Sequence, residues 1–346
     1  MTQIKRRAGT GFKAEPIIAA IVVAAIMLGP FQLAAVRAGE KLELLRTIDT
    51  SGDKWIGTLA FSPDGKTVVG AALDAVVFWD VASGAERQRY KGAPGTVHAV
   101  AVSPDGKLVA CGGLEKTVVL REAATGVRVG KFPAGNSITS LAFSADGKLL
   151  AVADMSRFHV WDIATSRELV KSQGTSWILC VALSPDGKLV AYGSTAANFD
   201  VFDVSTGAAT PELNERTTAR RGQHRGSINA VAFSPAGKLL ATASEDHTII
   251  LWELATGRIT ATLAGHADEV NSISFSPDGS LLASGSKDRT VRLWDVRSKE
   301  TLAVAREMTG PVQSVTIGPK GSLLAAAGAH GTLMLWKIGT TLEEGP

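Results

Sequence analysis

The chain has 346 residues, 45% hydrophobic and 20% charged, with 36 glycines and 13 prolines to supply turns. This composition excludes a disordered chain and allows one large folded body. The formal net charge is +3, but five of the 36 basic and one of the 33 acidic side chains precede residue 39, which leaves 31 basic and 32 acidic side chains in residues 39–346. That near-neutral body lacks the basic surface typical of nucleic-acid-binding proteins, and we expect no nucleic-acid partner.

The N-terminal segment is the first predicted element. Four basic residues precede the apolar run IIAAIVVAAIML at 17–28, and small residues follow as far as Ala38. This order is typical of an export signal, so residues 1–38 are predicted to be a signal peptide cut after Ala38. The alternative extends the apolar run over 17–36, which is long enough to span a bilayer and to remain as a membrane anchor.

Both interpretations place the rest of the chain outside the cytoplasm. Because the positive charges lie before the apolar run, the N-terminus stays inside and residues 39–346 are translocated. We expect a periplasmic or extracellular protein, or one attached to the membrane through an uncleaved N-terminal segment. A third interpretation makes the run a helix buried in the folded body.

One five-residue motif then recurs seven times. FSPDG occupies 61–65 and again 275–279. The variants are VSPDG at 102–106, FSADG at 143–147, LSPDG at 183–187, FSPAG at 233–237 and IGPKG at 317–321. The final glycines are 41, 41, 40, 50, 42 and 42 residues apart. A period of about 41 residues predicts stacked units that complete one another's cores.

Each motif is predicted to be the turn between two buried strands. Apolar residues stand nine, six and four positions before the motif glycine in all seven copies, as Ile56, Leu59 and Phe61 do in the first. Short apolar stretches bounded by turns are typical of buried strands, and Ser-Pro-Asp-Gly suits a type I turn. A second and a third strand follow each motif, and a fourth follows in every repeat but the last. Four short antiparallel strands per unit predict an all-β, seven-bladed propeller.

The ends of the third strands indicate the repeat family. Five of them carry a tryptophan, in Trp79-Asp80, Trp161-Asp162, Trp252-Glu253, Trp294-Asp295 and Trp336-Lys337. The other two end in Arg121-Glu122 and Phe202-Asp203. Because turn, strand and closing dipeptide recur in one register, the chain resembles the WD40 repeat family over about residues 42–338. The resemblance implies a single WD40-type propeller domain in residues 39–346.

The resemblance also implies an internal hydrogen-bonded set in each blade, expected in the order His, Ser or Thr, Asp and Trp. Two blades keep all four residues: His224, Thr242, Asp246 and Trp252 in the fifth, and His266, Ser284, Asp288 and Trp294 in the sixth. Elsewhere the set is eroded, with Cys111 and Arg121 in the Ser and Trp positions of the second blade and Ala326 and His330 in the Ser and Asp positions of the seventh. We expect the eroded blades to depend more on apolar packing.

Ring closure is predicted from the two ends of the repeat array. The last repeat stops at its third strand, LMLWKI at 333–338, and therefore lacks a fourth. The stretch LELLRTI at 42–48 precedes the first repeat and resembles ITATLAGH at 259–266. We expect it to complete the seventh blade, so that the ring has no long unpaired edge. We also expect a monomeric propeller.

No catalytic group of residues stands out in the sequence. The six histidines, at 98, 159, 224, 247, 266 and 330, have no spacing typical of metal ligands. No nucleophile elbow or phosphate-binding glycine loop occurs. Cys111 and Cys180 occupy positions where other blades carry small residues, which favours buried thiols over a disulfide. We therefore expect no catalytic residues, no metal and no cofactor.

The connection between the fourth and fifth blades is eight residues longer than the next one. It spans 30 positions from Gly207 to Gly237, against 22 from Gly257 to Gly279. The excess lies around NERTTARRGQHRG at 214–226, which contains Arg216, Arg220, Arg221 and Arg225. An anionic partner or acidic peptide is one predicted ligand of these arginines. The simpler interpretation is a solvated insertion without a ligand.

Two tryptophans stand outside the third strands. Trp55 and Trp177 lie ten residues before their motif glycines, where the other blades carry Thr96, Ser137, Ser227, Glu269 and Pro311. In WD40-like propellers this position opens onto a face that commonly receives peptides, and aromatic residues are enriched at binding hot spots. Since blades 1 and 4 are three steps apart in a seven-fold ring, we expect the two indoles to face each other across the central opening. The alternative packs each under its neighbouring inter-blade loop.

These features together predict a non-catalytic interaction platform, exported or membrane-anchored, that binds a peptide or protein partner on one face of the propeller. The alternative from a different class is an exported propeller enzyme, lactonase-like or quinoprotein-like, since those propellers also use similar turns. The closing Trp-Asp dipeptides and the two complete polar sets favour the WD40 interpretation.

Overall fold

A computed structural model describes residues 40–50, 55–91, 95–173, 176–213 and 224–340. These residues form seven antiparallel sheets arranged as a seven-bladed propeller, which confirms the predicted fold class. The N-terminal segment 1–38 lies outside the described residues, so its role stays a prediction. In the part of the chain that is described, no helix has the length and apolar character needed to cross a membrane.

The strands follow the chain order within each blade. Strand β1 is Glu40–Asp49. Blade 1 contains β2 (Ile56–Phe61), β3 (Thr67–Ala72), β4 (Ala75–Asp80) and β5 (Glu86–Lys91). Blade 2 contains β6 (Val97–Val102), β7 (Leu108–Gly113), β8 (Thr117–Glu122) and β9 (Arg128–Pro133). Blade 3 contains β10 (Ile138–Phe143), β11 (Leu149–Asp154), β12 (Arg157–Asp162) and β13 (Arg167–Gln173).

The remaining four blades repeat this order. Blade 4 contains β14 (Ile178–Leu183), β15 (Leu189–Ser194) and β16 (Phe199–Asp203), followed by a 3-10 turn at Pro211–Leu213. Blade 5 contains β17 (Ile228–Phe233), β18 (Leu239–Ser244), β19 (Thr248–Glu253) and β20 (Ile259–Ala264). Blade 6 contains β21 (Val270–Phe275), β22 (Leu281–Ser286), β23 (Val291–Asp295) and β24 (Thr301–Ala305). Blade 7 contains β25 (Val312–Ile317), β26 (Leu323–Gly328) and β27 (Thr332–Thr340), and β1 completes it.

The first strands of neighbouring blades contact one another around the whole ring, in the order β2, β6, β10, β14, β17, β21, β25 and back to β2. They therefore surround the central opening. The propeller has two faces. We call the one with the connections from second to third strands and from blade to blade the upper face, and the one with the Ser-Pro-Asp-Gly turns the lower face.

The repeated motif forms the predicted turn between first and second strands. In the first copy the Ser62 hydroxyl donates to Asp64 Oδ1 at 2.6 Å, and the same oxygen accepts the Lys66 N–H at 2.9 Å. These two hydrogen bonds lower the pKa of Asp64. All seven closing glycines have φ between 64° and 73°, a conformation that costs glycine little, which explains their recurrence.

The motif has a second role, because its proline packs on the glycine of the next blade's turn. A Cβ placed on Gly106 would lie 3.1 Å from Pro63 Cδ, and one on Gly279 would lie 3.4 Å from Pro235 Cδ. Pro319 meets Gly65 in the same way and so joins the last blade to the first. In blade 3 alanine replaces the proline, and Gly187 instead meets Leu149 and Ser144. The turns thus form a ring of contacts on the lower face.

Small hydroxyl side chains join the first strands near the central opening. Thr58 Oγ1 accepts the Val100 N–H at 2.9 Å, and Ser314 Oγ accepts the Leu59 N–H at 3.0 Å across the junction of blades 7 and 1. Cys180 occupies the equivalent position in blade 4, and its Sγ lies 3.6 Å from the Ile228 carbonyl. Burial raises the pKa of this thiol to about 12. Cys111 is also buried, and neither cysteine is in a disulfide.

The hydrophobic core lies between blades rather than inside any one of them. One cluster combines Val77 and Trp79 of blade 1 with Leu333 and Leu335 of blade 7, and each neighbouring pair of sheets repeats this arrangement. Burying apolar side chains between sheets is the main favourable contribution to folding. A single blade therefore has no core of its own.

Strand β1 closes the ring as predicted. It pairs antiparallel with β27, with Leu42 opposite Ile338, Leu44 opposite Trp336 and Ile48 opposite Leu333, and a bulge separates Leu44 from Arg46. The guanidinium of Arg46 then donates to the Ala82 carbonyl of blade 1 at 2.7 Å. The N-terminal strand therefore completes blade 7 and also contacts blade 1.

The outer position of blade 4 departs from the regular pattern. Among the described residues its sheet has three named strands, and Ala209 forms only an isolated bridge with Phe202. Pro211 has no N–H to continue the pairing, and the chain turns into the 3-10 segment there. Leu213 nevertheless reaches the core between blades 4 and 5, where it is 2% exposed.

Candidate partner-binding face

The indole of Trp55 lies against the inner rim of blades 1 and 2. Its backbone forms an isolated bridge with Ala329 of blade 7, and its ring meets His98 edge-on, with centroids 5.9 Å apart and planes at 81°. The ring occupies the space over Gly57, where any Cβ would collide with it. Burial lowers the pKa of His98, which favours the neutral ring beside the indole. Trp55 is therefore half-buried, and contacts with Gly57 and His98 hold its ring in one position.

Trp177 has a fixed backbone and a free side chain. Its carbonyl accepts the Thr195 N–H at 2.9 Å, and the next residue, Ile178, donates its N–H to the Met155 carbonyl at 3.2 Å. Its indole is 61% exposed. Both tryptophans thus precede first strands at the upper face, but only Trp177 stands out into solvent. That the two indoles face each other across the opening stays a prediction.

The arginine-rich connection is described only in part. Arg216, Arg220 and Arg221 lie outside the described residues, so their binding role stays a prediction. Arg225 is exposed at the upper face, and its backbone N–H donates to Asp246 Oδ2 at 2.9 Å. Its side chain is thus presented beside the polar set of blade 5.

The polar sets of blades 5 and 6 lie beneath the upper face. In blade 5, His224 Nδ1 is 2.8 Å from Asp246 Oδ2, and its Nε2 is 2.8 Å from Thr242 Oγ1. The Trp252 indole N–H donates to the same Thr242 hydroxyl at 2.9 Å. The order is therefore Asp, His, Thr and Trp. The expected order, with Asp between Thr and Trp, is wrong because the histidine, which has two ring nitrogens, bridges the carboxylate and the hydroxyl.

Blade 6 repeats this arrangement with a serine. His266 contacts Asp288 Oδ2 at 2.9 Å and Ser284 Oγ at 2.7 Å, and the Trp294 indole N–H donates to Ser284 at 2.8 Å. Burial lowers the pKa of His266 despite the nearby carboxylate, and a neutral ring can donate to Asp288 while accepting from Ser284. Asp288 also accepts the Ala267 N–H and so holds the upper connection in place.

The eroded blades have unsatisfied or substituted groups in the same places. The indole nitrogens of Trp161 and Trp336 are buried, and neither has a hydrogen-bond partner in the described part of the chain. Alanine at 326 supplies no hydroxyl to Trp336. In blade 2, Arg121 replaces the tryptophan and donates to the Gly126 carbonyl at 2.8 Å and the Lys91 carbonyl at 3.2 Å.

Blade 3 contains a polar set that the repeat pattern did not predict. His159 is 1% exposed, with Nδ1 2.5 Å from Glu168 Oε1 and Nε2 3.3 Å from Asp154 Oδ2. Burial opposes ionisation of Asp154, but hydrogen bonds from His159 and the backbone outweigh it and lower the pKa to about 2. Asp154 also accepts the Ser156 and Arg157 N–H groups and so shapes the upper connection. This histidine lies on the third strand rather than before the first, so spacing alone does not reveal it.

Two exposed leucines on the upper face were also missed from the sequence. Leu73 and Leu114 are 40% and 57% exposed, and each is the first residue of the connection between second and third strands. Blades 5 and 6 carry Glu245 and Lys287 at this position. An apolar residue in a turn position that other repeats fill with charge is the sequence signal that identifies them.

A comparison with known protein families matches the WD domain, G-beta repeat, over residues 84–121, 126–162, 216–253, 257–295 and 302–337, which together exceed half of the chain. The chain belongs to the WD40 repeat family. The matched WD40 segments do not include the first three strands of blades 1 and 4. These are the two blades that carry Trp55 and Trp177.

WD40 propellers commonly serve as protein-interaction scaffolds. Within the described residues, no three His, Cys, Asp or Glu side chains are grouped so that they could hold a metal ion. The upper face offers apolar and aromatic contact on blades 1 to 4 and charged side chains, among them Arg225, Glu245 and Lys287, around blades 5 and 6.

Proposed function

We propose that this WD40 protein is a non-catalytic interaction platform that binds a peptide or protein partner on its upper face. The observation that carries the proposal is the exposure of Trp177. The five tryptophans that close third strands are buried, whereas this indole is 61% exposed on a backbone held by two hydrogen bonds. A large aromatic side chain that makes no core contribution, on a fixed backbone, has the properties of a binding hot spot.

Trp55 and Arg225 also favour partner binding at the upper face. Trp55 is half-buried over Gly57, so a partner would meet one surface of an indole that is already held in place. Holding a contact residue in its bound position reduces the entropy lost on binding. Arg225 adds an exposed cation at the rim of the same face.

We further propose that the platform acts outside the cytoplasm, either exported or held at the membrane by the N-terminal segment. The support is the sequence pattern of residues 1–38. Protease treatment of intact cells that express the full chain with a C-terminal tag tests this part, in parallel with cell fractionation. Degradation of the tag on intact cells, or its recovery in the periplasm, agrees with the proposal. A protected tag recovered with the cytoplasm contradicts it.

The binding proposal is tested by Trp177→Ala. Partners are recovered from membrane and periplasmic fractions with the wild-type protein, and affinities are then measured with purified components. We expect the substitution to weaken binding by about 2 kcal/mol or more while the free energy of unfolding stays within about 0.5 kcal/mol of wild type. Trp177→Phe is the matched control, since it keeps an aromatic ring and should retain part of the affinity.

An unchanged partner affinity in Trp177→Ala would remove the main support for partner binding at the upper face. The enzyme alternative is tested separately with the purified protein, by screening for metal-dependent or quinone-dependent turnover of lactones and alcohols. Reproducible turnover in that screen would overturn the non-catalytic proposal.

A further inference from the structure

Apolar side chains form an arc over the upper face from blade 1 to blade 4. Leu73, Leu114 and Met155 are the first residues after the second strands of blades 1, 2 and 3. Trp55 lies at one end of this apolar arc and Trp177 at the other. The equivalent turn residues in blades 4 to 7 are Thr195, Glu245, Lys287 and Ala329. Large apolar residues at this position are therefore confined to three consecutive blades.

Backbone hydrogen bonds link the members of the apolar arc to one another. They are Val97 N to Leu73 O at 2.5 Å, Leu114 N to Thr96 O at 3.1 Å, Met155 N to Ser137 O at 3.1 Å, Ile178 N to Met155 O at 3.2 Å and Thr195 N to Trp177 O at 2.9 Å. The Val97 and Ile178 bonds cross from one blade to the next, whereas the other three lie within blades 2, 3 and 4 and join the connection before the first strand to the one after the second. The spacing of the apolar side chains is thus fixed by the propeller before any partner arrives, which lowers the cost of binding.

The conformation of Leu73 is unusual for a large apolar side chain. Its φ is 44°, in the left-handed region that a bulky side chain rarely adopts, and it begins a two-residue connection between Ala72 and Ala75. Glycine, asparagine or aspartate ordinarily fills such a position. Since Leu73 is 40% exposed, little packing compensates for this strain. Positive φ values also occur in the corresponding connections of blades 4 to 7, at Ala197, His247, Arg289 and His330, so Leu73 differs from them in carrying a large apolar side chain in such a turn.

The charges beside the apolar arc balance. Asp74 and Glu115 follow the two leucines, and two positive charges come from Lys116 in the second of these connections and from Arg157, the first residue of β12. Within the described residues none of these four side chains forms an ion pair. Burial also lowers the pKa of His98 and favours its neutral form. The solvent-accessible side chains beside the arc therefore carry no net charge, and the carboxylate of Asp154, which precedes Met155, is fully buried.

From this geometry we propose that the apolar arc docks an uncharged, apolar segment of a partner protein. The inference rests on the proposed function, because it names the chemistry of the partner that the upper face binds. Affinity comes from burial of leucine, methionine and tryptophan side chains against the segment, and it is therefore insensitive to salt.

A random peptide library displayed on phage tests this inference. It is selected on the immobilised full-length protein and counter-selected on the double variant Leu73→Gly, Leu114→Ser. Enriched peptides are synthesised and their affinities measured by fluorescence anisotropy. We expect apolar peptides with few charges, which bind the double variant about tenfold or more weakly. Raising the salt concentration should leave their affinity for the wild type unchanged.

The matched control is Val127→Ser, Val129→Ser, which removes two valines of comparable exposure, 57% and 49%, from the outer edge of blade 2. It should bind the selected peptides as the wild type does. Leu73→Gly suits the local φ and is expected to retain or raise the melting temperature. Leu114→Ser alone is measured as well, so that a folding defect in the double variant leaves the inference testable.

Three results would overturn the inference. They are the enrichment of highly charged peptides with steep salt dependence, equal affinity for the wild type and the double variant, and no enrichment above the counter-selected background. Some peptides could bind Trp177→Ala more weakly than the wild type but bind the double variant equally well. That result would refute docking on the apolar arc and would leave the proposed function standing.

Discussion

Blades 5 and 6 differ from blades 1 and 4 in where they use tryptophan and in what holds it. In blades 5 and 6, Trp252 and Trp294 are 1% exposed, and each donates to a buried hydroxyl that also contacts a histidine. Blades 1 and 4 add Trp55 and Trp177 at the upper face, and the WD40 match omits their first three strands. The blades that follow the repeat pattern most closely thus stabilise the fold, and the blades that depart from it supply the candidate site.

The largest expected contrast is between Trp294→Ala and Trp177→Ala. Trp294 lies in the core between blades 5 and 6, so its truncation leaves a cavity and should lower the free energy of unfolding by about 3–5 kcal/mol. Trp177 is mostly in solvent, and its truncation should change stability by less than about 0.5 kcal/mol. Urea denaturation of both variants checks this. Similar losses in the two variants would show that Trp177 also packs in the core.

A smaller effect is expected from Ser284→Ala in blade 6. The substitution removes the hydroxyl that joins His266 to Trp294 and leaves two buried nitrogens without that partner. An unsatisfied buried group costs about 1–3 kcal/mol, so the melting temperature should fall clearly. Ser280→Ala, in the lower-face turn of the same blade, is the control, since it removes only a solvent-accessible hydroxyl that donates to Asp278, and it should lower the melting temperature much less. If both variants melt alike, the polar set contributes nothing measurable.

The reverse substitution in an eroded blade should stabilise the protein. Ala326 takes the position of Ser284 in blade 7, and the buried Trp336 indole N–H lacks a hydrogen-bond partner among the described residues. Ala326→Ser offers an acceptor and should raise the free energy of unfolding by about 1 kcal/mol. Ala325→Ser is the matched control, since it buries a hydroxyl in the neighbouring core cluster, which does not contain Trp336. Equal destabilisation of both would show that the indole gains no bond.

A further effect is expected from acid. Burial opposes ionisation of Asp288, but hydrogen bonds from Thr290, Ala267 and His266 together lower its pKa to about 2, below the ordinary 3.8. A carboxyl whose pKa is lower in the folded state stabilises the protein above its unfolded pKa and loses that contribution as the pH falls through its folded pKa. The melting temperature should therefore decline between about pH 4 and pH 2. Asp288→Asn should show a shallower decline, and an identical decline would contradict this assignment.

The fold was predictable because each of its determinants is local and repeated. The turn motif fixes the period, the apolar positions before it fix the first strands, and the pairing of 42–48 with the last blade follows from a missing fourth strand. The structure confirms these features, and it gives the polar sets a different order of contacts. In that case the resemblance implied which residues take part but not which atoms meet.

The features that the sequence did not reveal depend on contacts between residues that are not equivalent in the repeat. His159 joins Asp154 and Glu168 through a strand position that holds Ile250 in blade 5 and Arg292 in blade 6. The exposure of Leu73 and Leu114 depends on how neighbouring connections leave them uncovered. Repeat periodicity predicts what blades share, whereas these properties arise where one blade differs from its neighbours.

The closure of blade 7 has a consequence for biosynthesis. Leu44 pairs with Trp336, 292 residues later in the chain, so the first strand to be made must wait for the last one. Contacts of such long sequence separation slow folding because a large loop has to close before they form. Until then the edge of β27 is open to other chains. A chain that loses β1 keeps three paired strands in blade 7, whereas a chain that loses β27 keeps only β25 and β26 paired and leaves β1 without a partner.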